Sequence, residues 1–170
     1  MSRTKTTGVL FVCLGNICRS PTAEGVFAAL AKQRGLATSV AVDSCGTSAW
    51  HIGSAPDSRA TAAAAVRGYD LSSLRGRQVE PVDFERYDYI LAMDRNNLRD
   101  LQALCPDHYT GHLGLLLEFA PGISERDVPD PYYGGDDGFT QVLDMVEAAS
   151  LGLLQALASE TTRVDDSNNR

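Results

Sequence analysis

The sequence predicts an α/β protein built as one domain around a doubly wound sheet of four parallel strands flanked by helices. The apolar run Val9-Leu10-Phe11-Val12 lacks polar alternation, which is typical of a strand buried on both faces of a parallel sheet. Strand-like segments then alternate with helical ones along the chain, as in consecutive βαβ units. The length of 170 residues is that of one domain with a sizeable core.

The first unit is a strand, a tight loop and a helix. We expect the strand over 8–13 and the helix over 21–34, which carries an apolar stripe. Ser20 is a suitable N-cap, and Pro21 is a suitable first residue because its missing N–H is not needed in the first turn. Gly35 is expected to end the helix.

The middle of the chain is expected to return through a right-handed crossover to a second strand over 39–42. The segment 43–56 is rich in Ser and Gly and is predicted to be a loop. An Ala-rich helix is expected over 57–67, and the basic segment 71–78 is predicted to be a connector.

The last third predicts two more strands and the final helices. They are a helical turn over 82–86, a strand over 87–93, a helix over 95–104, a strand over 112–117 and an amphipathic helix over 135–159. The polar segments 1–7 and 159–170 are expected to be a frayed N-terminus and a disordered tail, which leaves 8–158 as the folded domain.

The loop after the first strand is predicted to bind an anion. A loop that curls around a helix N-terminus directs several N–H dipoles at one point, and glycine permits the φ angles that this requires. No Gly-Lys pair precedes Ser20, so the segment is not a nucleotide-binding loop of the G-x-x-x-x-G-K-[ST] type. We therefore expect a phosphate-binding loop formed by Leu14, Gly15, Asn16, Ile17, Cys18 and Ser20.

Cys13 is the candidate nucleophile of this loop. The potential that attracts a phosphate also favours a thiolate over a thiol. Arg19 can grip two phosphate oxygens with its planar fork, and the Ser20 hydroxyl can stabilise the sulfur. A single Cys at a strand end is more often a buried apolar residue. The arrangement C-x5-R-S between a strand and a helix start favours the catalytic role here.

Asp130 is the candidate general acid. It lies in the segment 127–135, where two prolines and two glycines predict a loop that can hold a carboxyl group over a pocket. An Asp before Pro is ordinarily a turn former. Together with the Cys13 loop, however, a carboxylic acid that protonates a leaving phenolate is the favoured interpretation.

These motifs resemble those of the low-molecular-weight protein tyrosine phosphatases, and the resemblance covers about residues 8–158. The phosphate loop of that family reads C-x-G-N-x-C-R-S-P, as 13–21 does here. Further matches are Asp-Ser-x-Gly-Thr at 43–47, Trp50, Ala-Met-Asp at 92–94 and Asp-Pro-Tyr-Tyr at 130–133.

The resemblance implies hydrolysis of phosphotyrosine in proteins through a phosphocysteine intermediate, with free phosphate as the product. It implies that the substrate pocket is lined by Trp50, Tyr132 and Tyr133 and that the site is supported by Ser44 and Asp94. From the residues alone, a core anchor is the more common role for Trp50 and a helix cap for Asp94, and Ser44 is as readily a turn cap.

One position departs from the family pattern. A histidine that supports the loop asparagine is common in the family where this chain has Leu74. We therefore expect other groups to hold Asn16 in its left-handed conformation.

Composition limits the partners. A net charge of −7 and a pI near 4.8 argue against nucleic acid as a partner.

No apolar run approaches 18 residues and no signal-peptide core is present, so we expect a cytoplasmic protein without membrane association. The four cysteines form no C-x-x-C pair and the three histidines show no zinc spacing, so no metal or cofactor is expected. We expect a monomer or weak self-association.

Three other functions remain open. An arsenate reductase of the same fold usually needs a pair of resolving cysteines, which Cys45 and Cys105 do not form. A protein arginine phosphatase resembles this family but carries a small threonine where this chain has Ile17, which favours tyrosine. The third is a non-catalytic phosphate-binding module.

Cys18 is either a packed thiol or the partner of Cys13 in a reversible disulfide.

Overall fold

The computed structural model describes residues 6–132, 134–135 and 137–168. Four strands form one sheet in the order β2-β1-β3-β4, and every pair is parallel. They are β1 (Thr7–Cys13), β2 (Val40–Gly46), β3 (Tyr89–Ala92) and β4 (His112–Leu115). The predicted fold class, a doubly wound sheet of four parallel strands, is confirmed.

Helices cover both faces of the sheet. They are α1 (Arg19–Gln33), α2 (Ser58–Val66), the short α3 (Asp83–Arg86), α4 (Arg95–Leu104) and α5 (Asp137–Asn168), with a 3₁₀-helix η1 (Leu116–Phe119) after β4. Alternate residues of β1 enter two different cores. Phe11 packs with α1 and α5, whereas Leu10 packs with α3 and α4 on the opposite face. The uninterrupted apolar run of β1 follows from this burial on both sides.

The strand order places the carboxyl end of β1 at a topological switch point. The chain leaves β1 to form β2 on one side and later forms β3 on the other side. In doubly wound sheets ligands bind in the crevice at such a point, outside the carboxyl ends of the strands. The loop that begins at Cys13 lies there.

The second strand is longer than predicted. It continues through 43–46, which the sequence analysis assigns to a loop, and pairs with β1 as far as Gly46 opposite Cys13. The polar residue Asp43 is tolerated because Arg77 pairs with its carboxylate at 2.9 Å. The third and fourth strands are shorter than predicted, and the residues after Leu115 form η1 instead of continuing β4.

The prediction that Ser20 is an N-cap is wrong. Helix α1 already begins at Arg19 with Cys18 as N-cap, and no side chain caps it. The Ser20 side chain is buried against Cys13 in the loop after β1, so tertiary contacts override its local capping preference. The predicted stop is confirmed, since Gly35 has a φ of +73° just after the C-cap Arg34.

Helix α5 extends beyond its predicted end. It reaches Asn168, so 159–168 is helical where the sequence analysis expects a disordered tail. Extending an existing helix adds one hydrogen bond per residue without a new nucleation step, which polar residues permit. Residues 1–5 of the predicted frayed segment and the last two of the tail lie outside the described residues, and Thr7 is already in β1.

The stretch Asp137–Glu160 of α5 is long and apolar enough to span a membrane by length and composition alone. Half of the 18-residue window that gives it this apolar character is buried within the protein. Its buried residues, such as Val146 and Leu153, belong to the same core as β1 and α1. This is the packing of a central helix in a globular core.

Candidate active site

The loop from Cys13 to Cys18 is held from outside through three of its carbonyl groups. Three carbonyl oxygens accept hydrogen bonds from outside the loop, at Cys13 from the Thr47 N–H, at Leu14 from the Ser48 N–H and at Ile17 from the Asp57 N–H. In a trans peptide the C=O and the following N–H point in opposite directions, and no described peptide bond is cis. The N–H groups that follow these carbonyls are therefore directed inward, as an anion site requires.

The close contact between this loop and β2 depends on a glycine. A Cβ atom at Gly46 would lie 2.6 Å from the Leu14 carbonyl oxygen and 3.2 Å from the Asn16 nitrogen. Any larger residue would push the loop away from the strand. The Gly in the Asp-Ser-x-Gly-Thr segment thus has a packing role against the anion loop.

The Cys13 sulfur lies at the bottom of the loop and is almost completely buried. The Asn16 N–H donates to Sγ over 3.3 Å, and the Ser20 Oγ lies 3.0 Å from Sγ. When Cys13 is a thiolate, the Ser20 hydroxyl must be the donor of that contact. The Asn16 N–H is thus a donor to the sulfur, and the Ser20 hydroxyl, which also lies 3.3 Å from the Cys45 carbonyl oxygen, is a second group that can donate to it.

Asn16 holds the loop in shape. Its φ is +56°, in the left-handed region that asparagine tolerates better than most residues. Its Nδ2 donates to Ser20 Oγ at 2.8 Å and to Ser44 Oγ at 3.0 Å. Its Oδ1 accepts from the Arg77 N–H at 3.0 Å. The amide thus has three partners although Leu74 supplies none of them, and Leu74 packs against the core instead.

Arg19 is buried between the loop and two other segments. Its Nη1 donates to Asp94 Oδ2 at 2.6 Å and to the Val128 carbonyl at 3.0 Å, and its Nη2 lies 3.6 Å from Asp130 Oδ2. Burial by itself lowers the pKa of Arg19, but the negative charges of Cys13 and Asp94 outweigh it and raise the pKa overall. Arg19 therefore stays charged and is held rigidly beside the pocket.

Asp94 makes contacts that fit both of the roles that the sequence left open. One carboxylate oxygen accepts from the Asn97 N–H at 2.7 Å and caps α4. The other oxygen accepts from Arg19. Because helix α4 holds the carboxylate in place, the cap also orients the guanidinium.

Asp130 lies above the loop on the segment that joins β4 to α5. Its Oδ1 accepts from the Tyr132 N–H at 3.1 Å in a local turn, and 40% of its side chain is exposed. Its other oxygen faces Arg19. A carboxyl group so placed can reach a substrate oxygen that enters the pocket from outside.

The pocket brings together most of the predicted site residues. It is lined by Cys13, Leu14, Gly15, Ile17, Cys18, Arg19, Trp50, Asp130 and Tyr132, and also by His51. Asn16, Ser20, Ser44 and Asp94 lie behind this lining, as the contacts above describe. Trp50 is 74% exposed, so it is a residue of the pocket wall and not a core anchor. Tyr133 lies outside the described residues.

Sequence reasoning missed three residues of the site. His51 follows Trp50 and packs on Gly15, where a Cβ atom would lie 2.9 Å from its ring. Arg77 supplies the N–H that Asn16 accepts. Glu24 accepts a 2.6 Å hydrogen bond from Ser44 Oγ and so extends the polar chain that runs through Asn16 and Ser20 to the sulfur. Of the three, only His51 has a signal in the sequence, which is its position next to Trp50.

The pKa of Glu24 rises from its ordinary value of 4.5 to about 7, because burial outweighs the hydrogen bond from Ser44. Asp43 raises this pKa further and Arg77 opposes the rise. In the unfolded chain Glu24 ionises near 4.5, so between pH 4.5 and 7 the folded state binds more protons. Stability must then fall as pH rises through this window.

We expect Glu24→Gln to remove this pH dependence. The free energy of unfolding of the parent protein should fall relative to the variant by up to roughly 3 kcal/mol between pH 4.5 and 7. Urea unfolding at four or five pH values measures the difference. A constant difference across the window would contradict the assignment.

The other cysteines are free thiols in this structure. Burial and then the charge of Asp57 raise the pKa of Cys18 to about 12, so Cys18 is a protonated thiol at neutral pH. Cys45 is fully buried in the second core. Among the described residues, no group of three or more His, Cys, Asp or Glu side chains is placed to hold a metal ion.

Comparison with known proteins adds an independent line of evidence. The family model for low molecular weight phosphotyrosine protein phosphatase matches residues 8–163. A putative low molecular weight protein-tyrosine-phosphatase of Synechocystis sp. is 44% identical over 153 residues, which cover 89% of this chain and 97% of that protein.

Solved structures of phosphatases are also similar to this chain. A crystal structure of a protein tyrosine phosphatase from Entamoeba histolytica, with Hepes in its active site, matches with a TM-score of 0.88 and 40% identity over 92% of this chain and 99% of that one. The crystal structure of a Drosophila arginine phosphatase matches with a TM-score of 0.82 and 32% identity over 88% and 96% of the two chains.

Proposed function

Because the chain belongs to the low molecular weight phosphotyrosine protein phosphatase family, we propose that it hydrolyses phosphotyrosine in proteins through a cysteinyl-phosphate intermediate. The observation that carries the proposal is the convergence of Cys13, Arg19 and Asp130 on one pocket. The Asn16 N–H donates to the sulfur there, the Ser20 hydroxyl lies 3.0 Å from it, and the buried Arg19 lines the same pocket.

In the first step the Cys13 thiolate attacks phosphorus in line, forming the S–P bond while the bond from phosphorus to the tyrosine oxygen breaks. The inward N–H groups of the loop and Arg19 hold the equatorial oxygens as their charge develops. Asp130 gives its proton to the departing phenolate, which would otherwise leave slowly.

In the second step water attacks the phosphocysteine. Asp130, now a carboxylate, takes a proton from that water, and Cys13 leaves as a thiolate with release of phosphate. The hydrogen bond from Ser20 stabilises the departing sulfur, which is why a hydroxyl 3.0 Å from Sγ supports this step.

The depth of the pocket supports a preference for phosphotyrosine. The thiol is almost fully buried, whereas Trp50 and Tyr132 stand at the mouth with 74% and 39% exposure. A long aromatic stem can pass between these rings and bring its phosphorus to the sulfur. Phosphoserine is too short to place phosphorus at attack distance.

Two alternatives stay within the same fold. The match to an arginine phosphatase structure keeps phosphoarginine open, and the bulky Ile17 in the pocket wall argues against it. Arsenate reduction has less support, because Cys45 is buried in a different core from the pocket and Cys105 is outside the pocket lining.

Peptides that differ only in the phosphorylated residue test the proposal. We expect kcat/KM for the phosphotyrosine peptide to exceed that for phosphoserine or phosphoarginine by at least about a hundredfold, a factor that misplacing a reacting atom by one ångström can cost. Faster phosphoarginine hydrolysis, or arsenate-dependent oxidation of reduced thioredoxin, would favour an alternative. An Ile17→Thr variant run beside the parent shows whether Ile17 sets the tyrosine preference.

A further inference from the structure

The start of helix α2 is joined to the phosphate loop. The Asp57 N–H donates to the Ile17 carbonyl at 2.8 Å, and the Asp57 carboxylate caps α2 by accepting from the Arg59 N–H. This end of the helix is therefore hydrogen-bonded directly to the loop that begins at Cys13.

Arg59 projects from this helix end toward the segment that carries Asp130. Asp57 holds its guanidinium at two points, with Nε 3.2 Å from Oδ1 and Nη2 3.0 Å from Oδ2. The same Nη2 donates to the Tyr132 carbonyl oxygen at 3.0 Å. The guanidinium carbon also lies 5.6 Å from the Tyr132 ring centroid and 4.8 Å from that of Phe139 in α5.

The backbone of Tyr132 thus connects Arg59 to Asp130. Its carbonyl accepts from Arg59, and its N–H donates to the Asp130 carboxylate at 3.1 Å. Arg59 is in this way two hydrogen bonds away from the candidate general acid. The Tyr132 ring, which lines the pocket, is held by the same cation.

We propose that Arg59 is a positioning residue for the general acid, because it holds Asp130 over the phosphate loop through Tyr132 and aligns the pocket wall. The inference rests on the proposed phosphatase function. Such a connection is needed because the described residues between Val128 and α5 form no helix or strand that could hold Asp130 in place. Asp57 completes the connection by joining Arg59 to the loop of the nucleophile.

A positioning role has a signature that a purely structural role lacks. A general acid matters when the leaving group is a poor anion and matters little when it leaves unaided. A variant in which Asp130 is present but loosely held should lose rate in proportion to the basicity of the leaving group. A variant that is merely less stable should lose rate equally on all substrates.

The experiment measures kcat/KM for a series of aryl phosphates, because this constant reports the steps up to phosphoryl transfer. We expect Arg59→Met to lose about tenfold on phenyl phosphate and less than about twofold on p-nitrophenyl phosphate. Methionine retains an apolar stem to pack on Phe139 but removes the fork. The kcat/KM of Arg59→Lys on phenyl phosphate should lie between those of the parent and Arg59→Met, since one ammonium group cannot bond to both Asp57 and Tyr132 as the guanidinium does.

The matched control is Arg67→Met. Arg67 is the C-cap residue at the opposite end of α2 and forms ion pairs with Asp144 and Glu147, but it does not line the pocket. We expect this substitution to leave kcat/KM unchanged or to lower it by the same factor for every aryl phosphate. Equal losses of the Arg59→Met protein on all substrates, or no loss, would overturn the proposal.

Asp130→Asn measured in the same series separates this inference from the function on which it rests. A loss of about 10²–10⁴-fold on phenyl phosphate with a small loss on p-nitrophenyl phosphate supports the acid role. If Asp130→Asn shows that pattern and Arg59→Met does not, only the positioning role fails. If Asp130→Asn shows no dependence on the leaving group, the proposed acid itself fails.

Discussion

Replacing Cys13 by serine is expected to abolish turnover while phosphate binding persists. A serine hydroxyl stays protonated at neutral pH, and the loop provides hydrogen-bond donors around the sulfur but no base to remove that proton. Losses of about 10⁴–10⁶-fold are typical when a nucleophile is removed from an otherwise intact site. Steady-state hydrolysis of p-nitrophenyl phosphate measures kcat, and calorimetry with inorganic phosphate measures binding.

Cys105→Ser is the matched control for this substitution. Cys105 is a free thiol at the C-cap of α4, and its sulfur contacts the Pro106 carbonyl outside the pocket. Its variant should keep the activity of the parent. Activity of Cys13→Ser within tenfold of the parent would contradict the assignment of the nucleophile.

Arg19→Lys is expected to lower kcat by at least about 10²–10³-fold, although the positive charge is kept. The guanidinium of Arg19 contacts Asp94 and the Val128 carbonyl through Nη1, and this leaves its second nitrogen on the side of Asp130. A lysine offers one compact ammonium, which cannot keep those contacts and follow the phosphoryl oxygens as phosphorus becomes trigonal. The effect should therefore fall on kcat more than on binding of phosphate.

The control for charge alone is Arg95→Lys at the start of α4. Arg95 is 62% exposed and pairs with Asp127 just before the Val128 segment. That exchange should leave kcat within about twofold, since exposed ion pairs contribute little. If Arg19→Lys behaved like Arg95→Lys, a planar clamp would not be needed at position 19.

The parts of the fold that sequence predicted are those where local signals and tertiary packing agree. The apolar run of β1 and the end of α1 at Gly35 are such cases. Ser20 is the opposite case, because its hydroxyl is a good cap in isolation but is recruited by Cys13 and Asn16 in the folded loop. The polar end of β2 was missed for a similar reason, since its Asp43 is compensated by the distant Arg77.

The candidate site divides in the same way. Cys13, Arg19 and the loop between them form one contiguous motif, and Asp130 is marked by its prolines and glycines. Glu24, Arg59 and Arg77 could not be found from sequence, because each acts through a contact with a residue far away in the chain. An acidic residue in a helix or an arginine after a cap has no local pattern that indicates such a partner.

The proposed mechanism requires the loop after β1 to bring one sulfur and one phosphoryl group together. Its most direct test is rapid acid quenching of Asp130→Asn during turnover of p-nitrophenyl phosphate, followed by mass spectrometry of the peptide that contains Cys13. The leaving group departs unaided in this variant while the hydrolysis step lacks its base, so we predict that a phosphocysteine accumulates at Cys13. Turnover without phosphate on Cys13, or with phosphate on another side chain, would contradict the account.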